Sequence, residues 1–544
     1  MVTFCVMGPS LRTAITAWST GCVASFLVQH TLWIINVNAV ATLSVYQAVT
    51  WIPVALGVAA VWRRWRIPLT ICWPIAWTAG EALRAMGPLG TIFGILPVPR
   101  TTELWMLQIA DLGGYGMATI PLAMVQGWFA DLVLSLKAHG KSRRLPIRFN
   151  LCSNRRFVTA SAMLVITWVS VAGYGHWRLR SIRNELVAGP TVAVIDPDIL
   201  APLEGDVAVD PHEILQKLKT LTRIAVDSDA KPDLVVWPEG MVAQTVPSQS
   251  FFTAPFDPRM NPLLSRSDEE SPTTAVLRER WQVVSRSASD YDRSFREWVS
   301  RLGVPVLVGT EAWVSSQPER IKPFDRYNAA IPFYPNSGQC QRFQAKARLY
   351  PLGESAPWKN TFLDPILTSI VGPPHKNYTA GATRHRYTIG ADGPSYVISL
   401  CSELKFSSLK GQQADTSKAH KPFDLMINMA NESLFHHNRM GEIFAFCATL
   451  RAIENRVAVV RSSNAGISGF YDPTGRPYGI IAHKTTSAQW DSRSGPGAWS
   501  VQPVYTSETQ TLFQRFGDWL SPTLICGLVL MNLSALMKET GRFP

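Results

Sequence analysis

Apolar segments long enough to cross a membrane occupy both ends of this 544-residue chain. A bilayer core about 30 Å thick needs about 20 mainly apolar residues in a helix to span it. Helices also satisfy their own backbone hydrogen bonds in lipid, so we predict that these segments are helical. The predicted helices are at about residues 14–35, 39–60, 69–86, 104–136, 157–174 and 520–536.

The segment at 104–136 is longer than one span requires, and we predict a break near Asp111–Gly114. Between the last two helices the composition is that of an ordinary globular protein. The whole chain is 47% hydrophobic and 17% charged, which is typical of a membrane protein with a soluble part. We therefore predict a transmembrane bundle over residues 1–180, a globular domain over 181–515, and a C-terminal transmembrane helix with a short tail over 516–544.

Basic residues predict the orientation in the membrane. Three arginines follow the second helix, at positions 63, 64 and 66, and seven Lys or Arg residues lie between 137 and 156. By the positive-inside rule both loops are cytoplasmic, which places the globular domain outside. Arg178, Arg180 and Arg183 oppose this orientation but are fewer, and Lys538 and Arg542 support it. Because these loops account for much of the net charge of +12, anionic lipid explains the charge and we predict no nucleic-acid partner.

The globular region alternates short Val- and Ile-rich strands with helical patterns. This alternation is typical of a layered α/β fold. Strands are predicted at residues 191–196, 233–238, 305–310, 395–400, 424–429 and 457–462, and helices at 212–226, 276–302 and 440–454.

Three strand-like runs, two of them among the strands above, each lead to a reactive side chain. Glu239 follows VVWP, Lys346 lies in QAKARLYPLGE, and Cys401 follows VISL. A carboxylate, an ammonium and a thiol brought together make a nucleophilic acyl-transfer site. The thiolate attacks, the carboxylate takes the proton, and the ammonium stabilises the thiolate and then the oxyanion.

Each of the three residues also has a structural interpretation. Cys401 could be an inert buried thiol, and Glu239 a solvated loop acid or a neighbour of a helix N-cap. Lys346 could be one of several surface cations, because strand alternation would place it on one face with Arg342 and Arg348. Neither Cys/His spacing nor a CxxC motif suggests a metal site.

Five motifs in order resemble the nitrilase superfamily, and within it the apolipoprotein N-acyltransferases. They are WPE at 237–239, KARLYPLGE at 346–354, CSE at 401–403, NMANESLF at 428–435 and LRAIENRVAVVRSSNAGISGF at 450–470. The resemblance covers residues 192–472 well and the membrane part more loosely.

The resemblance implies an α/β fold, a four-layer αββα nitrilase-type sandwich attached to an α-helical transmembrane bundle. It also implies a Glu239-Lys346-Cys401 catalytic triad, with Trp237, Glu354 and Glu403 in supporting or substrate-binding positions. Ser402 departs from the family, which usually has an aromatic residue after the nucleophile, and this difference bears on the shape of the acyl pocket.

The function implied is transfer of a fatty acyl chain from a phospholipid, through a cysteine thioester, to the N-terminal amine of a diacylglyceryl-cysteine lipoprotein. The expected protein is a multi-pass monomer of the bacterial inner membrane, with its catalytic domain on the periplasmic side and no metal or cofactor. Two alternatives remain: a membrane-anchored amidase or nitrilase-type hydrolase, and a non-catalytic nitrilase-like accessory membrane protein.

Four further features of the sequence have a structural or functional interpretation that the motifs do not decide. Residues 241–272 combine Pro and Ser with several Phe and Leu, and are either a lid that dips into the outer leaflet or a disordered insertion. Glu81 and Arg84 share a helix face inside an apolar segment, which favours pairing in the bundle. No sequence spacing supports a Cys340–Cys447 disulfide as the pairing of these two cysteines, and the His436-His437 pair is interpreted as a loop near the pocket.

Overall fold

A computed structural model shows a helical bundle joined to a two-sheet sandwich. The structure describes the chain except residues 1, 34–35, 88, 91–102, 141–154, 203–207, 248–289, 316–323, 337–341, 352, 357, 359–360, 363, 373–375, 391–392, 407–420, 436–438, 483–495 and 537–544.

The helices of the bundle follow the predicted apolar segments. They are α1 (Val2–Met7), α2 (Leu11–Val28), α3 (Val37–Ala48), α4 (Trp51–Trp65), α5 (Leu69–Ala85), α6 (Leu104–Leu107), α7 (Ala110–Gly113), α8 (Tyr115–Gly140), α9 (Arg155–Glu185) and, after the sandwich, α15 (Leu520–Leu536).

Local chemistry sets several of these helix ends. Asn36 caps α3, since its side chain accepts a hydrogen bond from the Ala39 N–H at 2.9 Å. Gly114 has a φ of +79°, which separates α7 from α8 at the predicted break. Three predicted ends were wrong by five residues or more: the first long helix stops at Val28 rather than residue 35, α4 continues past residue 60 to Trp65, and α9 continues past residue 174 to Glu185.

Four described segments are long and apolar enough to cross a membrane, as judged by length and composition. They are Leu11–Val28, Val37–Trp65, Tyr115–Leu136 and Arg155–Glu185, with a shorter apolar helix at Leu520–Ala535. At 17 residues α5 is also short, and most of its side chains are buried in the bundle. Asp131 of α8 caps α5 by accepting from the N–H groups of Leu69 and Thr70, both at 2.9 Å.

Two mixed sheets make up the sandwich. Sheet 1 has the order β13-β1-β2-β4-β5-β6, with β3 paired to β4, and sheet 2 has the order β12-β11-β10-β9-β8-β7. The strands are β1 (Val187–Asp196), β2 (Leu234–Val236), β3 (Val242–Pro247), β4 (Val306–Ser315), β5 (Phe324–Phe333), β6 (Gln344–Ala345), β7 (Arg386–Thr388), β8 (Ser395–Leu400), β9 (Leu425–Asn431), β10 (Ala458–Asn464), β11 (Ile467–Tyr471), β12 (Pro477–Ala482) and β13 (Ala498–Thr506).

Helices cover both outer faces of the paired sheets. Sheet 1 is covered by α10 (Pro211–Val226) and α11 (residues 290–302), and sheet 2 by α13 (Met440–Asn455). Two short helices pack elsewhere: α12 (Asp364–Val371) lies against α3, and α14 (Leu512–Phe516) lies against α7 and α13. Alternate strand residues point to opposite faces, so Val236 packs between the sheets while Val235 packs against α10 and α11. On the far side, α13 covers sheet 2. These layers confirm the predicted four-layer αββα sandwich attached to a helical bundle.

The helix α13 also joins the sandwich to the bundle. One of its faces packs on sheet 2, and the opposite face packs on α6 to α9 through Phe446, Leu450 and Ile453. A buried ionic cluster reinforces this contact. Asp111 accepts from Arg456 at 2.7 Å, from Arg178 at 2.8 Å and from the Tyr174 hydroxyl at 2.7 Å.

The sandwich meets the end of α5 that is remote from the basic α4–α5 connection. Arg348 of the sandwich donates to the carbonyl of Ala85, at the C-terminal end of α5, at 2.6 Å. Arg63 and Arg64 lie at the end of α4, next to the N-terminal end of α5. The two features are thus separated by the length of α5.

Candidate active site

Glu239, Lys346 and Cys401 come together although each follows a different strand. Glu239 lies just beyond β2, Lys346 directly follows β6, and Cys401 directly follows β8 of the facing sheet. The Lys346 ammonium is 3.1 Å from a Glu239 carboxylate oxygen, and the Cys401 thiol donates a hydrogen bond to Glu239. The three residue types proposed from the sequence therefore share one site.

Lys346 is the most enclosed member of the site, with 1% of its surface exposed. Its ammonium donates to Glu239 and, at 2.9 Å, to Glu354. Burial disfavours the charged amine, but the two carboxylates outweigh burial and raise the pKa of Lys346 well above its usual range. Lys346 is therefore a permanent cation at neutral pH. The alternative interpretation, in which Lys346 shares a solvated face with Arg342 and Arg348, does not apply, because β6 ends at Ala345 and only Lys346 of the three is buried.

The thiol of Cys401 is protonated in the resting site. Burial, followed by the negative charge of Glu239, raises the pKa of Cys401 to about 12, against the opposing effect of Lys346. A neutral thiol bonded to a carboxylate can lose its proton as it attacks, and Glu239 is in position to receive it.

The backbone at Cys401 is strained in a way that projects the side chain from the end of β8. Cys401 has a φ of +47°, in the left-handed region that costs a non-glycine residue about 1 kcal/mol. The residue begins a short 3-10 helix, Cys401–Lys405, so the chain turns sharply at this position. Strain of this kind persists only where surrounding contacts hold it.

Glu354 and Asn328 hold the Glu239-Lys346 pair from the other side. The Asn328 amide donates to one carboxylate oxygen of Glu239 and to one of Glu354, both at 2.7 Å. The second oxygen of Glu354 accepts from the backbone N–H of Tyr350 at 2.7 Å. Sequence reasoning identified Glu354 by resemblance but missed Asn328, because Asn328 reaches the site only through the pairing of β5 with its neighbours.

Glu403 connects the lysine segment to the cysteine turn. One of its oxygens accepts from the backbone N–H groups of Ala347 and Arg348, at 2.9 and 3.1 Å, and from Arg384 at 3.0 Å. The other accepts from the Leu400 N–H at 2.9 Å. A buried carboxylate that accepts four donors fixes both segments relative to each other. This geometry agrees with a positioning contribution for Glu403.

Trp237 points away from the reacting groups. Its indole is fully buried on the outer face of sheet 1, where it packs on Phe295 and Trp298 and donates to the Thr222 hydroxyl at 2.8 Å. The residue thus anchors the strand that leads to Glu239. A substrate-binding role for Trp237 stays a prediction from resemblance.

Two further residues of the short 3-10 helix that begins at Cys401 have buried side chains. Ser402 is buried, in the position where the family usually has an aromatic side chain. Lys405, which sequence reasoning missed, is also buried, and its amine lies 4.5 Å from the centre of the Phe444 ring. Burial lowers the pKa of Lys405 to about 8.

Other residues singled out in the sequence lie elsewhere or outside the described residues. Glu81 accepts from Trp77 and Thr119 inside the bundle, at 2.9 and 3.0 Å, and pairs with Arg84 at 3.8 Å. Cys447 is a free, buried thiol in α13. Cys340, the His436-His437 pair and residues 248–272 of the suggested lid fall outside the described residues.

Comparison with known proteins gives one consistent result. The chain is 24% identical to the apolipoprotein N-acyltransferase of Rhodopirellula baltica over 501 residues, which covers 88% of this chain and 80% of that protein. It is 25% identical to the enzyme of the same name from Allorhizobium ampelinum, with 79% and 73% covered. A third, from Chlorobaculum tepidum, is 25% identical, with 69% and 62% covered.

Family models and solved structures are less similar to this chain than these relatives are. No protein-family model matches the chain. The crystal structure of the C. elegans NitFhit protein overlaps with a TM-score of 0.33 and 14% identity, covering 65% of this chain and 66% of that chain. The resemblance predicted from the motifs is thus confirmed by the curated relatives, which support an acyltransferase. Together with the apolar helices, they indicate a bacterial membrane protein.

Proposed function

We propose that this protein transfers a fatty acyl chain from a membrane phospholipid to the N-terminal amine of a diacylglyceryl-cysteine lipoprotein. One observation carries the proposal: Glu239 contacts both the Cys401 thiol and the Lys346 ammonium, in a buried site on a sandwich that packs against apolar helices. The names of the relatives give the reaction class, and the site provides the groups that such a reaction needs.

In the first half-reaction, Cys401 Sγ forms a bond to the ester carbonyl carbon of the phospholipid while its proton moves to Glu239. The carbonyl oxygen becomes an oxyanion, which the Lys346 ammonium and backbone N–H groups stabilise. The ester C–O bond then breaks, and Glu239 returns the proton to the departing lysophospholipid oxygen. The product on the enzyme is a thioester at Cys401.

In the second half-reaction, the amine of the lipoprotein attacks the thioester carbonyl. Glu239 takes a proton from the amine, the C–S bond breaks, and the thiolate regains a proton. Because Lys346 and Glu239 are 1% and 6% exposed, little water reaches the groups that would activate it. The burial of these two groups, beside a half-buried Cys401, therefore favours an amine acceptor delivered by binding over hydrolysis.

The proposed location is the bacterial inner membrane, with the sandwich on the periplasmic side. The sandwich contacts the end of α5 remote from Arg63 and Arg64, and basic residues favour the cytoplasmic side. A phospholipid in the outer leaflet would then lie on the same side of the membrane as Cys401. The protein is proposed to act as a monomer without a metal or cofactor, as the resemblance implies.

Mass spectrometry of the detergent-purified protein after incubation with phospholipid tests the first half-reaction. We expect a fatty-acyl mass on the Cys401 peptide that hydroxylamine removes. Cys401→Ala should lose the adduct, whereas Cys447→Ala, which removes a buried thiol in α13, should keep it. No adduct with phospholipids of several head groups and chain lengths would overturn the phospholipid donor.

The second half-reaction distinguishes a transferase from a hydrolase. A diacylglyceryl-cysteine peptide added to the acylated protein should accept the acyl chain and restore the free thiol. If water clears the thioester equally fast without the peptide, the protein is instead a hydrolase that uses the same three residues.

A further inference from the structure

Three buried polar side chains form a row across sheet 2, immediately behind Cys401. Ser399, Asn428 and Arg461 lie in register on the parallel strands β8, β9 and β10, and all three are fully buried. Their sequence neighbours Ile398, Ile427 and Val460 pack between the sheets, so the polar row faces α13. Burying polar groups in a sheet is costly unless they are bonded, and the proposed chemistry uses none of them directly.

Arg461 forms the fixed end of this row. Its guanidinium donates to the Ile467 carbonyl at 2.8 Å, to the Glu432 carboxylate and to the side-chain oxygen of Asn428, and it lies over the Phe444 ring at 5.2 Å. A guanidinium can only donate, so the oxygen of Asn428 must face Arg461. The amide NH₂ of Asn428 is therefore directed towards β8.

The NH₂ of Asn428 reaches the backbone of the cysteine turn. It donates to the Ser399 carbonyl at 3.1 Å and to the Cys401 carbonyl at 3.4 Å. The second of these carbonyls belongs to the residue with a φ of +47°, where the backbone needs external contacts to keep its conformation. Glu403 holds the turn through the Leu400 N–H, and Asn428 holds it through the Cys401 carbonyl.

The Cys401 carbonyl and the Ser402 N–H belong to one planar peptide group and point in opposite directions. Fixing the carbonyl therefore fixes the direction of that N–H. At the start of a helix the first N–H groups have no acceptor within the helix, so the Ser402 N–H can donate to another group. Beside the nucleophile, such a donor is suited to the oxyanion that forms during acylation.

We infer that Asn428 is a positioning residue for the acylation of Cys401, acting through the Cys401–Ser402 peptide and fixed in turn by Arg461 and Glu432. This inference rests on the proposed role of Cys401 as the nucleophile. It predicts that Asn428 matters for a reaction that forms an oxyanion and much less for one that does not.

Two reactions of the full-length protein separate these cases. With p-nitrophenyl acetate, the Cys401 thiol gives its proton to Glu239 as the sulfur attacks the carbonyl, an oxyanion forms, and the C–O bond breaks to release p-nitrophenolate. With iodoacetamide, the thiol gives up its proton in the same way, the sulfur displaces iodide, and no oxyanion forms. Asn428→Asp keeps the size of the side chain but cannot donate to the Cys401 carbonyl. Asn464→Asp is the matched control, since Asn464 is equally buried in β10 but bonds to Ile199 and Asn431.

We expect Asn428→Asp to acylate at least about tenfold more slowly than the unmodified protein, with alkylation changed by less than about threefold. The control should change both rates by less than about threefold. Equal loss of both reactions would show a general structural role and overturn the inference, as would an acylation rate like that of the unmodified protein. If Asn428→Asp does not fold, Asn428→Ser serves instead. Acylation by p-nitrophenyl acetate but not by phospholipid would contradict only the proposed donor.

Discussion

Replacing Lys346 with methionine should destabilise the sandwich strongly and in a pH-dependent way. Lys346→Met keeps much of the side-chain volume but removes the cation that lies 3.1 Å from Glu239 and 2.9 Å from Glu354. The two carboxylates would then share a buried site with only the Asn328 amide between them.

The size of the loss in folding free energy follows from these two distances. At an effective dielectric constant of about 20, a unit charge pair 3 Å apart gains about 5 kcal/mol, and burial of the ions cancels part of this gain. Removing one partner of a buried pair typically costs about 3–5 kcal/mol. For a domain of this size, that loss corresponds to a fall in the melting temperature of about 4–7 °C.

The pH dependence has a definite sign. Without Lys346, the negative charges of Glu239 and Glu354 are buried together and repel each other, and protonation of either carboxylate at low pH removes this repulsion. Stability relative to the unmodified protein is therefore lost as the pH rises and both carboxylates ionise. The deficit should be small near pH 4 and largest at pH 8.

Thermal unfolding in detergent between pH 4 and pH 8 measures the deficit, and a second substitution tests its cause. Lys346→Met with Glu239→Gln removes one of the two negative charges, so it should recover part of the lost melting temperature at pH 8. If Lys346→Met melts like the unmodified protein at every pH, or if the double variant is no more stable than Lys346→Met, the electrostatic account of this site is wrong.

Two further predictions concern the junction with the bundle and the thiol. Asp111→Asn leaves Arg456 and Arg178 without their buried anion and should cost about 3–5 kcal/mol in thermal unfolding. Asp290→Asn, which breaks the exposed pair with Arg293, should change stability by less than about 1 kcal/mol, and equal effects of the two variants would contradict this. Glu239→Gln should lower the pKa of Cys401 from about 12, because the substitution removes a negative charge that raises this pKa. More of the thiol is then ionised at pH 8, and iodoacetamide should alkylate Cys401 faster. A rate that is unchanged or lower would exclude this role of Glu239.

Much of the fold followed from local patterns. Apolar runs of spanning length predicted the bundle helices, and Val- and Ile-rich runs predicted strands that the structure places at β1, β2, β4, β8, β9 and β10. These predictions worked because hydrophobic periodicity is a local property of the chain. Helix ends were less predictable: α9 continues to Glu185 because a polar segment can extend a helix beyond the apolar stretch.

The contacts around the site could not be predicted in the same way. Strand alternation alone would place Lys346 on a surface face with Arg342 and Arg348, but the alternation stops where β6 ends and Lys346 is buried. Asn328 and Asn428 looked like ordinary strand residues, and only the pairing of their strands with neighbours shows which groups their amides reach. No spacing in the sequence encodes such register.

By itself, the sequence determined that this chain has apolar helices at both ends, a layered α/β region between them, and three reactive residue types after separate strands. Each of these properties depends on residues that are close in sequence. Only the tertiary structure decided that Glu239 shares a site with Lys346 and Cys401, that Glu403 ties the last two together, and that Trp237 faces away. Those outcomes depend on how two sheets stack and register, because residues far apart in the chain become neighbours only when the fold buries their strands together.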